Sequence, residues 1–274
     1  MNYIKILRPF NCLFVAICVL FGIFFRNLTL HSYNMVFAIL SATIIAGAGY
    51  VINDFFDLPI DSVNKPNRVL PSGKIKPRSA YLYAIILFIL GIILSFLTRN
   101  IYCVIIAIIN SILLFFYAKT FKMNFLIGNI VVAYAAGSTF IFGGLSSNNF
   151  TNSLIIAIYA FLYTLMREFI KDAEDIEGDI KFKANTLAIK LGRKKTIFAS
   201  ILPIAFIIVF TIYLFFSELI LLSTFVLMNV FVSIPLIFFI IFLFKKISKK
   251  KLSLISGWMK IDMLMLLIIL WFGK

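Results

Sequence analysis

Nine uninterrupted apolar stretches of about 20 residues run through the chain, at 9–26, 35–52, 79–97, 101–118, 125–144, 152–170, 196–216, 219–243 and 254–272. That is the length a helix needs to cross the ~30 Å hydrocarbon core of a bilayer. None alternates polar and apolar residues as a membrane-spanning strand does. A helix satisfies its backbone hydrogen bonds internally in lipid, so the sequence predicts an all-α polytopic membrane protein, a bundle of nine transmembrane helices. Composition closes off the alternatives. Of 274 residues, 62% are hydrophobic and 14% charged, against about 45–50% and 25% in soluble domains. Disordered, collagen-like and disulfide-scaffold chains are excluded by the same arithmetic. The first stretch, with Lys5 and Arg8 ahead of it, resembles a signal peptide. Phe24, Phe25 and Arg26 stand where a small-residue cleavage site belongs, so a retained helix is expected.

Orientation follows from the cations. Of 26 Lys and Arg, 22 fall on the amino-terminal tail and the second, fourth, sixth and eighth connections. The positive-inside rule then puts a multi-pass protein in the cell membrane with its amino terminus cytoplasmic and its carboxyl terminus outside. The net charge of +15 is mostly this topology signal. No basic groove with interleaved aromatics suggests a nucleic-acid partner. The run KKISKKK at 245–251 reads as an anchor to anionic headgroups. Cys12, Cys18 and Cys103 lie inside expected helices without metal-ligand spacing and read as small packing residues. His31 stands alone in a short outer loop.

The acids carry the main clue, because nine of the 11 cluster at two helix ends on the cation-rich side. Asp54, Asp57 and Asp61 open the second connection; Asp172, Asp175 and Asp179, with Glu174, Glu177 and the preceding Glu168, open the sixth. Both triads have the spacing Asp-x-x-Asp-x-x-x-Asp. On a helix that spacing falls within an arc of about 60°. Asn53 joins the first stripe, Glu174 and Glu177 point away from the second, and Pro59 is expected to kink or end the first helix. The fold is therefore a bundle with cytoplasmic aspartate-rich loops.

Two unit charges ~6 Å apart repel by roughly 3 kcal/mol at an effective dielectric near 20. Gathering three beside lipid calls for compensating cations. All-oxygen ligands without His or Cys suit a hard divalent ion, Mg²⁺ above all, which binds a few carboxylates together with phosphate oxygens. Lys65 and Arg68 follow the first triad, Lys119 and Lys122 lie in the fourth connection, and Arg167 and Lys171 precede the second triad. Together they fit an anionic, phosphate-bearing ligand.

The stretch NDFFDLPIDSVNKPNRVLPSG (53–73) resembles the first aspartate-rich motif of the UbiA superfamily of intramembrane prenyltransferases. REFIKDAEDIEGD (167–179), followed by NTLAIKLG (185–192), resembles the second. RPFN (8–11) and YAKTFK (117–122) are similar to further family segments. The resemblance covers essentially the whole chain and implies one transmembrane prenyltransferase domain over residues 1–274. Within the superfamily, the KDxEDxEGD and NKPxRxLPSG forms look most like the archaeal digeranylgeranylglyceryl phosphate synthases. Val69, Lys183 and Ala188 depart from that pattern, where proline, glycine and proline are usual.

The resemblance implies transfer of a geranylgeranyl group from a prenyl diphosphate donor to the hydroxyl of a lipid-phosphate acceptor, among membrane lipids. It implies that Asn53, Asp57 and Asp61, and Asp172, Asp175 and Asp179, bind Mg²⁺ that bridges the diphosphate. Asp54 is either a direct ligand or orients a metal-bound water. Arg8, Asn11, Lys119 and Lys122 become candidates for phosphate contacts. The runner-up acceptor is an aromatic quinone or chlorin precursor. A divalent-cation transporter is the competing class, but its ionisable groups belong near the bilayer midplane, and Asp262 is the only acid well within a span.

Overall fold

The computed structural model describes residues 1–26, 33–181, 184–245 and 248–273. His31, Lys183 and part of the 245–251 run lie outside the described residues. The helices are α1 (Asn2–Ile6), α2 (Pro9–Phe24), α3 (Asn34–Phe56), α4 (Leu58–Asn64), α5 (Pro77–Phe96), α6 (Ile101–Lys119), α7 (Ile127–Ser146) and α8 (Phe150–Lys181), then α9 (Leu187–Leu191), α10 (Arg193–Ala199), α11 (Ile201–Phe216), α12 (Leu222–Met228), α13 (Ile234–Lys245) and α14 (Lys249–Phe272). A 3₁₀ turn, Phe121–Met123, precedes α7, and a π turn, Asn229–Ser233, joins α12 to α13.

Eight helical runs among the described residues are long and apolar enough to cross a bilayer. The ninth expected span is the shorter helix α2, whose 16 residues reach about 24 Å. It opens at Pro9, which gives up no helical hydrogen bond in the first turn. It stops where Phe25 turns extended and Arg26 takes a φ of 56°. Two expectations need correction. The span expected at 152–170 continues to Lys181, so the second aspartate-rich stretch is helix rather than loop. The span expected from 219 begins at Leu222, because Glu218 has a φ of 57°.

The chain divides into two compact units, Met1–Lys122 with Ser138–Ala157, and Met123–Gly137 with Ile158–Lys274. In the first, α3 packs against α2, α5 and α6. Small residues make this possible. Ala48, Ala80, Ala84 and Ala107 are buried among Val51, Ile52 and Phe88. The AGAGY stretch is a packing surface: a methyl on Gly47 would lie 3.0 Å from Leu7 Cδ2, and one on Gly49 3.1 Å from Leu114 Cδ1. Helix α2 and the end of α7 approach until only glycine fits. A Cβ on Gly22 would overlap the Phe140 carbonyl oxygen, and one on Gly143 that of Val19. The three cysteines are free and buried.

The last carbonyls of α2 have no helical partner. Asn149 Nδ2 donates to Phe25 O at 2.8 Å and lies 3.2 Å from Ile23 O and 3.3 Å from Gly22 O. Asn149→Ala is expected to lower stability by about 2 kcal/mol, read as a shift in the detergent unfolding midpoint. Asn149→Asp should do no better, since a carboxylate brings no donor.

In the second unit, Tyr159, Tyr163, Met166 and Ile170 form one stripe of α8, each at most 1% exposed. The Tyr159 hydroxyl lies 2.8 Å from Thr211 Oγ1 of α11. The Tyr163 hydroxyl donates to Asp262 Oδ2 of α14 at 2.6 Å. The π turn falls just before Pro235, whose missing N–H breaks the helical ladder there.

Candidate active site

Helix α3 delivers the first set of polar groups and ends on it. Asp57 caps the helix, with Asp57 N still bonded to Asn53 O at 2.9 Å. Pro59 then sits in the first turn of α4, where its missing N–H costs nothing. The expected kink is thus a junction between two helices. Asp61 N bonds Asp57 O at 2.8 Å across it, so the three aspartates keep near-helical spacing.

Each carboxylate carries its own cation. Arg8 Nη2 pairs with Asp54 Oδ1. Arg68 Nη1 lies 2.5 Å from Asp61 Oδ2 and 3.6 Å from Asp54 Oδ1, bridging the two. Lys122 Nζ pairs with Asp57 Oδ1, and Asn53 Nδ2 donates to Asp57 Oδ2 at 2.8 Å. Asp54 and Asp61 are 7% and 4% exposed. At an effective dielectric near 20, one pair at 4 Å gains about 4 kcal/mol, which offsets the mutual repulsion of the acids. Arg8 has a φ of 55° and lies over the Tyr50 ring, 5.4 Å from its centroid. Asn11 shares a side-chain hydrogen bond with the same tyrosine. Turns from Arg68 to Lys74 bring Arg68 back, with Ser72 N bonded to Arg68 O at 3.0 Å and Lys74 N to Val69 O at 3.2 Å. Val69, where proline is usual, is buried there at 6% exposure. Lys65 and Lys119 are exposed, and among the described residues no ion pair joins them to the three carboxylates.

The second set lies on the polar end of α8. Asn129, at the start of α7, donates to Asp172 Oδ2 at 3.0 Å. Thr186 Oγ1 donates to Asp179 Oδ2 at 3.0 Å. Asp175 is exposed, within electrostatic reach of Asp179. Arg167 Nη1 and Lys171 Nζ both turn to Glu168, at 3.2 and 3.3 Å. Glu177 does point away, toward Arg193 Nη2 at 2.6 Å, and Arg193 Nε donates to Ala173 O at 2.9 Å. Ala188, in α9, is fully buried, which accounts for a small residue at that position.

Three partners were not expected: Tyr50, Asn129 and Thr186. Only Asn129 is joined to the site through tertiary contact alone; Tyr50 shares a helical stripe with Asn53, Asp54 and Asp57, and Thr186 falls in the NTLAIKLG stretch. Glu168 was legible, since 168, 172, 175 and 179 follow i, i+4, i+7, i+11 on one helical stripe, and Glu168 lies within electrostatic reach of Asp172.

Among the described residues, no three His, Cys, Asp or Glu side chains are drawn around one point. The donor set still suits Mg²⁺. It is all oxygen, and that ion takes one or two carboxylates together with waters and phosphate oxygens rather than a protein cage.

The profile of the UbiA prenyltransferase family matches residues 15–267. The digeranylgeranylglyceryl phosphate synthase of Methanosphaera stadtmanae is 40% identical over 203 residues, 73% of this chain and 72% of that one. The Methanocaldococcus jannaschii synthase is 39% identical over 208 residues, 76% and 73% of the two chains. A solved structure described as that of a digeranylgeranylglyceryl phosphate synthase superposes with a TM-score of 0.88 at 33% identity, covering 98% of this chain and 96% of that one. A UbiA homologue from Archaeoglobus fulgidus, solved bound to DMAPP and Mg²⁺, shares the fold with a TM-score of 0.76 at 18% identity, covering 98% of both chains. Multi-pass helical architecture, aspartate-rich helix ends and these likenesses agree: the chain belongs to the UbiA family of membrane prenyltransferases.

Proposed function

We propose that the enzyme transfers a geranylgeranyl group from geranylgeranyl diphosphate to the free hydroxyl of geranylgeranylglyceryl phosphate, forming the ether lipid precursor digeranylgeranylglyceryl phosphate. The observation that carries prenyl transfer is the pair of aspartate triads of matched spacing, each set among cations or amide donors. The acceptor rests on the relatives, whose shared name is that of the synthase. The basic, aspartate-rich ends and the amino terminus are cytoplasmic in this reading, and the carboxyl terminus is outside.

In the reaction, the allylic C1–O bond of the donor breaks and its electron pair leaves on the diphosphate. The acceptor oxygen bonds to C1, and its proton passes to the released diphosphate or to a carboxylate of the triads. Asn53, Asp57 and Asp61, with Asp172, Asp175 and Asp179, would hold Mg²⁺, and Asp54 would either join the first set as a ligand or orient a metal-bound water. When bound, Mg²⁺ neutralises charge on the diphosphate. Arg8, Arg68 and Lys122 lie beside the first triad and Arg167 and Lys171 beside the second, where they stabilise the leaving group. Asn11 and Lys65 add polar reach at the same end, as does Lys119 at the end of α6. The bilayer around the prenyl chain excludes water and protects the allylic cation from hydrolysis.

The test supplies labelled geranylgeranyl diphosphate and Mg²⁺ to purified protein, with geranylgeranylglyceryl phosphate and 4-hydroxybenzoate in separate tubes. Product with the glycerol phosphate alone, lost on adding EDTA and regained with excess Mg²⁺, is the expected result. Product with the aromatic acid alone would overturn the acceptor while leaving the chemistry.

A further inference from the structure

An apolar trough and a cluster of cations meet at one end of the second unit. Ile201, Ile204 and Ile208 of α11 face Ile237, Ile240 and Ile241 of α13 across a groove of about 210 Å³. These residues recur at helical spacing, so each helix offers one continuous face. The groove lies where α11 begins and α13 nears its end.

The adjoining helix starts are basic. Arg193, Lys194 and Lys195 open α10, and Lys249, Lys250 and Lys251 open α14. Helix N-termini favour acids over cations, and neither first turn has an acid. Helix electrostatics therefore do not account for these six residues. Glu177 brings the two helix starts together: Arg193 bonds it, and Lys249 is within electrostatic reach of the same carboxylate. Lys251 Nζ lies 4.1 Å from the ring centroid of Phe242, the residue after Ile241 of the groove.

Glu177 meets Arg193 and Lys249, and the lysines beside them remain in surplus. Beyond residue 180 the sequence holds only two acids, Glu218 and Asp262. Asp262 is about 20 Å along α14 from Lys249 and is bonded to Tyr163. Glu218 lies past the far end of α11. Lys194, Lys195, Lys249 and Lys250 are exposed. Ile201 is only about 9 Å along the helix from Lys195, so a single lipid spans both features.

We propose that this face binds one anionic phospholipid of the surrounding bilayer, its phosphate against the lysines and one hydrocarbon chain in the isoleucine groove. Charge complementarity selects the headgroup, and the groove gives the chain a fixed seat. The inference is independent of the acceptor used in catalysis.

Native mass spectrometry of the full chain in detergent tests it, with phosphatidylglycerol and phosphatidylcholine of matched chains as probes. One tightly held phosphatidylglycerol is expected, favoured over phosphatidylcholine by about tenfold or more. Lys194→Gln/Lys195→Gln/Lys251→Gln should remove that preference. Ile204→Trp should weaken long-chain phosphatidylglycerol but not its dihexanoyl analogue, and inorganic phosphate should not compete. Equal binding of the two lipids by the unmodified chain would overturn the proposal without relying on any variant. Loss of preference in the lysine variant with no effect of Ile204→Trp would also overturn it, leaving a diffuse headgroup patch. Circular dichroism and size-exclusion profiles confirm that each variant is folded.

Discussion

Asp57→Ala and Asp172→Ala are each expected to reduce prenyl transfer by at least about 10³-fold, a loss of some 4 kcal/mol of transition-state stabilisation. Asp57 ends α3 and holds both Lys122 and Asn53. Without it a cation and an amide lose their common anchor at the helix junction. Asp172 is fixed by Asn129 and lies within electrostatic reach of Glu168 and Asp179. In the proposed reaction each triad contributes its own carboxylates to holding Mg²⁺, so the loss of one is not made good by the other. Initial rates with labelled donor measure the effect, and thermal melting in detergent reports whether each variant is folded. Glu218→Gln, far along the chain from either triad and outside the proposed machinery, should retain the unmodified rate. A folded variant keeping more than about a tenth of the activity would remove its triad from the chemistry.

Gly143→Val and Gly22→Val should prevent recovery of folded protein altogether. At this crossing the obstacle is backbone: Val19 O faces Gly143, and Phe140 O faces Gly22. A side chain at either position cannot be relieved by a rotamer change, only by moving a helix. Overpacking against adaptable side chains costs about 1–3 kcal/mol, and displacement of α2 would exceed that. It would also pull the α2 carbonyls away from Asn149. Arg8 opens that same helix, so a partly folded Gly143→Ala variant should lose activity along with stability. Folded yield by size exclusion, then melting of whatever is recovered, checks both expectations. Normal recovery of Gly143→Val would mean that the two helices do not touch there.

Local periodicity carried the fold a long way. Apolar runs with uninterrupted hydrophobicity located the spans within a few residues, because bilayer thickness demands them regardless of tertiary detail. The errors have local causes. Polarity rises after Arg167, which looks like a helix end, yet residues 171–181 contain no proline and many good helix formers. Helix α8 therefore runs on past the apolar stretch to Lys181. Conversely, Arg26 and Glu218 shorten two spans by adopting positive φ, a feature that hydropathy does not report.

The candidate site was legible as far as spacing reaches. Both aspartate stripes, and the cations near them, could be read off the chain. Which cation meets which acid could not: Arg8 and Asp54 are 46 residues apart, and Lys122 and Asp57 are 65 apart. The same holds for Asn129, brought to Asp172 by the entry of α7. These pairings are set by helix packing, and no local pattern encodes them.

The Tyr163–Asp262 hydrogen bond has a bearing on biogenesis. A carboxylate at the centre of an isolated membrane helix costs about 2.5–3.5 kcal/mol to insert, and α14 carries both Lys260 and Asp262. Its partner Tyr163 is synthesised 99 residues earlier. The ribosome thus delivers the acceptor only after its donor is in the bilayer. Helix α14 can enter against helices already made, where neither its acid nor the buried phenol has to face lipid alone.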